Sequence, residues 1–87
     1  MQISFSDLQE LARDHKVGPN DRPVFSWEFD AEENEWVTEC QHFVAEERED
    51  GWEVNGFDVN IHQIPDDGSA MYALELFQSL LMLGHVN

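Results

Sequence analysis

The stretch from Glu28 to Glu53 constrains this chain most: eleven of its 26 positions are Asp or Glu, Arg48 is the one cation among them, and large apolar residues run between. At its start the interleaving has a period of two. Phe25, Trp27 and Phe29 alternate with Ser26, Glu28 and Asp30, which on a strand puts the aromatics on one face and the polar groups on the other. This predicts a half-buried strand. Ala31–Asn34 reads as a hairpin turn, and a second strand runs from Glu35 to about Ala45, with Trp36 inward and Glu35 and Glu39 outward. Its two facing sets conflict, so a face-swapping bulge is expected partway. After the charged turn Glu46–Gly51, Trp52 and Val54 alternate, then Phe57, Val59 and Ile61 alternate one register later. That slip predicts a third strand with a bulge at Asn55–Gly56, ending at Pro65–Gly68.

Helical spacing flanks this region on both sides. Ser6 with Gln9 three residues on reads as a capping box, Leu8, Leu11, Ala12 and His15 recur at helical spacing, and Gly18-Pro19 stops the run. The expected helix is 7–16, and the residues from Pro19 to Pro23 are turn formers. Ser69 reads as the N-cap of a second helix over 70–83, closed by Gly84. That helix is apolar all round, with Glu75, Gln78 and Ser79 left to face water. A three-stranded sheet covers one side of such a helix, so a second chain, and hence a homodimer through the C-terminal helix, is an open expectation. The predicted fold is α+β: a three-stranded antiparallel meander with an N-terminal and a C-terminal helix on one face, in the order α-β-β-β-α, forming one acidic domain over 1–87.

Composition narrows the functional classes. Four Lys plus Arg against 19 Asp plus Glu leave a net charge of −15 over 87 residues, which argues against direct binding to nucleic acid and against an anionic membrane surface. Three Trp and six Phe are too much large apolar surface for a disordered acidic chain. The lone Cys40 and an N-terminus without a basic segment or apolar core predict a reducing cytoplasm and no signal peptide. The apolar tail Leu76–Val86 is short of the roughly 20 residues that cross a bilayer.

The carboxylates carry the functional expectation. Solubility of a small domain asks for a net charge of about 2 to 8 in magnitude, so the excess points to a purpose beyond solvation. Acids at alternate positions of a strand lie about 6.6 Å apart, of the same order as the rise of about 3.4 Å per nucleotide along one DNA strand. The candidate partner-binding residues are therefore Glu28, Asp30, Glu32, Glu33, Glu35, Glu39, Glu46, Glu47, Glu49, Asp50 and Glu53. The same acids lack the glycine and terminal glutamate of a calcium loop. His15, His42, His62 and His85 have no zinc spacing, and a pairing of Cys40 and His42 with His62 across strands lacks an orienting third group. No catalytic residue, metal or cofactor is expected. Trp27, Trp36 and Trp52, one per expected strand, read as core under the helices, with an interface anchor as the other possibility.

In size, charge and its acidic meander from Glu28 to Glu53, the chain resembles the small acidic inhibitors of phages and other mobile elements, the DNA-mimic anti-restriction and anti-CRISPR proteins. The resemblance is one of physical style. It implies a non-enzymatic inhibitor that occupies the basic groove of a nucleic-acid-binding protein or complex, a nuclease or CRISPR effector, in the host cell cytoplasm. Two other classes fit the same residues: an immunity, antitoxin or adaptor protein that binds a basic partner through the acidic face and the apolar C-terminal helix, and a salt-adapted domain. Against the last, salt-adapted chains tend to trim large apolar residues, and nine Phe and Trp remain.

Overall fold

The chain enters as a short strand, β1 (Gln2–Ser4), and turns at once into helix α1 (Phe5–His15) in a computed structural model that describes residues 1–86. The cap is Ser4, extended at φ −76° and ψ 155°, whose hydroxyl accepts from the Asp7 N–H. Ser6, the expected cap, lies inside the helix. Burial explains the earlier start: Phe5, Leu8 and Ala12 form one inward stripe, and Phe5 joins it only as a helical residue. Lys16 closes α1 in the left-handed region at φ 57°.

Five strands follow: β2 (Trp27–Asp30), β3 (Glu35–Thr38), β4 (Val44–Arg48), β5 (Gly51–Gly56) and β6 (Val59–Ile64), then helix α2 (Asp67–Met82). The α+β class holds, with the three expected strands replaced by a six-stranded mixed sheet in the order β1-β6-β5-β4-β3-β2. β1 pairs parallel to β6 and the other neighbours pair antiparallel. Strand β1 escaped the sequence reading because three residues show no periodicity.

Both expected bulges are chain reversals. Between β3 and β4 the buried Thr38 hydroxyl accepts from the Phe43 N–H at 3.1 Å, and Gln41 adopts φ 63°. Between β5 and β6 Phe57 and Asp58 take φ 45° and 58°, as a two-residue hairpin of matching twist requires. Gly56 leads into it because a Cβ there would collide with the His42 carbonyl oxygen. A true bulge occurs in β6 instead, where Trp52 opposes Ile64 but Val54 opposes Ile61. With Gln63 at φ 58°, it turns Ile61 and Ile64 to the same face.

Helix α2 starts earlier than expected, at the Asp66 cap, whose carboxylate accepts from the Ser69 N–H at 2.7 Å. It lies over β4, β5 and β6, and α1 lies over β6 and against α2. The core between them includes Leu8, Val54, Ile61, Ile64, Leu74 and Leu80. Trp27, Trp36 and Trp52 are partly buried against this core, as expected.

The apolar circumference of α2 is covered largely by this chain itself. The segment 17–26 crosses the helix as a strap. The buried Glu75 carboxylate accepts from the Val24 N–H at 3.0 Å and the Phe25 N–H at 2.9 Å, and the buried Ser79 hydroxyl donates to Asn20 Oδ1 at 3.1 Å. Glu75 and Ser79 therefore do not face water, which corrects that expectation: each anchors a segment whose own polar groups need partners. Removing the Glu75 carboxylate strands two N–H groups, so Glu75→Ala should cost about 1–3 kcal/mol in urea unfolding and speed amide exchange at Val24 and Phe25 above all. Unchanged exchange at those two amides would show the strap to be held elsewhere.

Candidate functional site

Burial of one sheet face dictates what the other presents. In β4 and β5, Ala45 and Val54 are fully buried beneath α2 and oppose each other in register. Their neighbours Glu46 and Glu53 then oppose each other on the face without helices. Registers Glu35–Glu46 and Asp30–Glu35 extend the row. Asp30, Glu35, Glu46 and Glu53 thus cross four adjacent strands at spacings of about 4.8 Å. Glu28 lies two residues back along β2 on this same face.

The other sequence-predicted acids fall around this row. Glu32 and Glu33 occupy the β2–β3 turn, where Asp30 Oδ1 accepts from both of their N–H groups, and Glu49 and Asp50 form the β4–β5 turn at that end of the sheet. Glu39 follows β3 at the opposite end. Glu47 does not join the face: it alternates with Ala45 and opposes Trp52, so it points to the helix side, beyond the reach of α2.

Arg48 is consumed inside the row. Its guanidinium lies 2.5 Å from Glu46 and 2.9 Å from Glu53. Glu53 also accepts from Asn60, which bonds Asn55 at 2.7 Å and His62 at 3.0 Å. These hydrogen bonds, first from Arg48 and then from Asn60, hold the Glu53 carboxyl below its ordinary range. Glu35 lacks such help. Desolvation in the sheet face, then the charges of Glu46 and Glu33, push its carboxyl above the ordinary range, and a hydrogen bond with Glu46 adds to the effect. Asn55 and Asn60 escaped the sequence reading and His62 was weighed only as a metal or catalytic residue, although the alternation of Asn60 and His62 with Val59 and Ile61 marks those two as outward-facing.

The chemistry available here is electrostatic. Glu35 and Glu46 face each other with more charge than Arg48 offsets, so a lysine or arginine side chain inserted between them would offset the repulsion between the two carboxylates. Among the described residues no three His, Cys, Asp or Glu side chains are placed to hold a metal ion. Cys40 is exposed in the β3–β4 turn, where hydrogen bonds from the Thr38 hydroxyl and then the His42 backbone lower its thiol pKa. His62 bonds Asn60 in β6, whereas His42 stacks on Phe57 at 4.5 Å, so the structure does not bring Cys40, His42 and His62 together. No helix among the described residues is long and apolar enough to cross a membrane. Comparison with known protein families, with curated proteins and with solved structures gives no match.

The opposite shifts of Glu35 and Glu53 give a pH signature. The folded state holds the Glu35 proton more tightly than the unfolded chain, so stability rises as pH falls from neutral through its raised pKa. Glu53 contributes stability above the unfolded value of about 4.3 that is lost as pH falls through its lowered pKa. Melting temperature should therefore pass through a maximum on acidification. At pH 7 Glu35→Gln should raise it and Glu53→Gln should lower it by leaving Arg48 and Asn60 short of a partner. The same sign for both variants would contradict the asymmetry.

Proposed function

We propose that this chain is a non-enzymatic binding protein whose acidic sheet face occupies the basic groove of a nucleic-acid-binding protein, inhibiting a nuclease or CRISPR effector by nucleic-acid mimicry. One observation carries the reading: the register-locked row Asp30–Glu35–Glu46–Glu53, in which Arg48 offsets only part of the charge and Glu35 bears the cost. A fold that needed only solubility would scatter these acids. Its likeness to a nucleic-acid strand is one of sign and order of spacing: about 4.8 Å across strands and 6.6 Å along them, against about 3.4 Å of rise per nucleotide. The basic groove would read it as a dense anionic strip and be steered to it over a distance set by ionic strength. On this reading the chain works in the cytoplasm of the cell whose protein it blocks.

A second reading rests on the end of α2. Leu81, Met82 and Leu83 are 42%, 69% and 61% exposed, an apolar cap that would serve an immunity, antitoxin or adaptor protein as anchor, or a homodimer as interface.

Capture from a lysate on the tagged full chain, washed at low and then high salt, separates the two. Mimicry predicts a nucleic-acid-binding protein that leaves at high salt, and a loss of at least about tenfold in affinity for Glu35→Lys with Glu46→Lys. The same reversal at Asp7 and Asp14 should change little. Acidification should weaken the complex as Glu35 takes up its proton. A salt-resistant partner lost on Met82→Ser with Leu83→Ser would establish the second reading, and equal effects at both acidic pairs would overturn the localisation.

A further inference from the structure

The terminal strand β2 combines three features at one edge of the sheet. Its hydrogen-bonding phase is set by the Glu39 N–H, which donates to the Ser26 carbonyl at 2.7 Å. In the antiparallel alternation, Ser26, Glu28 and Asp30 turn their backbone groups toward β3, and Trp27 and Phe29 turn their N–H and C=O outward. Neither helix brings its backbone close to β2 or β3. Trp27 packs on the core and Trp36 Nε1 donates to Asp67 of α2 at 3.1 Å, so the acid-bearing face of this edge is open and the helix-side face is open at Phe29. One face presents Glu28 and Asp30, beside a trough of about 440 Å³ that reaches Val37 and Glu39. The other presents aromatic surface: Phe29 is 48% exposed and leans on Trp36 at 5.1 Å.

We propose that β2 is a docking edge for an extended basic segment of the partner, which adds to the sheet as a seventh, antiparallel strand. The inference rests on the acidic-face reading and specifies how a basic partner would engage it. Residues directly opposite in an antiparallel pair share a face. The added strand therefore alternates: lysine or arginine beside Glu28 and Asp30, and apolar side chains beside Trp27 and Phe29. A second copy of this chain is a poor occupant, because antiparallel β2–β2 pairing would set the Glu28 and Asp30 carboxylates of the two copies against each other.

The geometry makes a sharp demand on the added backbone. Residues opposite Trp27 and Phe29 are the apolar ones, and their N–H and C=O bond to β2, while those of the basic residues point away. A short peptide of alternating lysine and valine serves as probe, titrated into the isotope-labelled full chain and followed by amide shifts and exchange. The alternating peptide should protect the Trp27 and Phe29 amides. N-methylation of its valines should weaken binding at least about fivefold, from about 1 kcal/mol per hydrogen bond lost, while N-methylation of its lysines should leave affinity within about twofold. Phe29→Pro, a substitution that edge strands tolerate, should weaken the unmodified peptide in the same way.

Equal effects of the two N-methylations would overturn the docking edge, as would a peptide of the same composition in block order that binds equally well. In that second case, retained salt dependence would leave the acidic-face reading standing. No binding of either peptide at low salt would remove both. Concentration-dependent protection of the Trp27 and Phe29 amides without peptide would replace the basic occupant with a second copy.

Discussion

Everything exposed on this molecule follows from what α2 buries. A strand has two faces, and fixing one residue on the core side fixes the facing of all its neighbours. Ala45 and Val54 sit without exposure beneath α2 and oppose each other. Once they are placed, Glu46 and Glu53 have one position available to them, opposite each other on the other face. Hydrophobic burial thus supplies the free energy that holds like charges in a row. The row's own electrostatics would disperse it.

The same burial needed a solution for an unusually apolar helix. Sheet and α1 cover part of α2, and the strap 17–26 covers a further side, pinned by Glu75 and Ser79. A buried carboxylate that accepts backbone N–H groups serves the strap and the helix together, since a carboxylate taken out of water needs donors and the strap's N–H groups supply them. Exposed apolar surface remains at the C-terminal end of α2 and at β2, on separate parts of the molecule. These two regions separate the two functional readings physically: salt-sensitive attraction at the sheet face and edge, salt-insensitive packing at the helix end.

The alternation Phe25–Trp27–Phe29 revealed a strand, the β2–β3 turn was legible in Ala31–Asn34, and five of the eleven singled-out acids, Glu28, Asp30, Glu35, Glu46 and Glu53, share one face. Glu46, Glu47 and Arg48, expected in a charged turn, fall in β4, and Glu47 takes the helix side there because its facing depends on where β4 begins, which local charge does not reveal. Both chain reversals hid inside runs of strand-forming residues. The turn at Phe57-Asp58 uses positive φ at residues that do not advertise it, and the β3–β4 reversal depends on the hydroxyl of a buried threonine. The helix caps moved to Ser4 and Asp66 because burial of Phe5 and the geometry after Pro65 outweighed the local cap motif.

By itself the sequence determined the α+β class, the sign and density of charge, and the identity of the acidic segment, because composition and period-two alternation are local properties. Only the tertiary structure decided which carboxylates stand in register, that Arg48 is spent within the row, that Glu75 is inside, and that β2 is an edge. Those outcomes depend on strand order and on which face is buried. Both are set by contacts between residues distant in the chain, and local pattern carries no record of them.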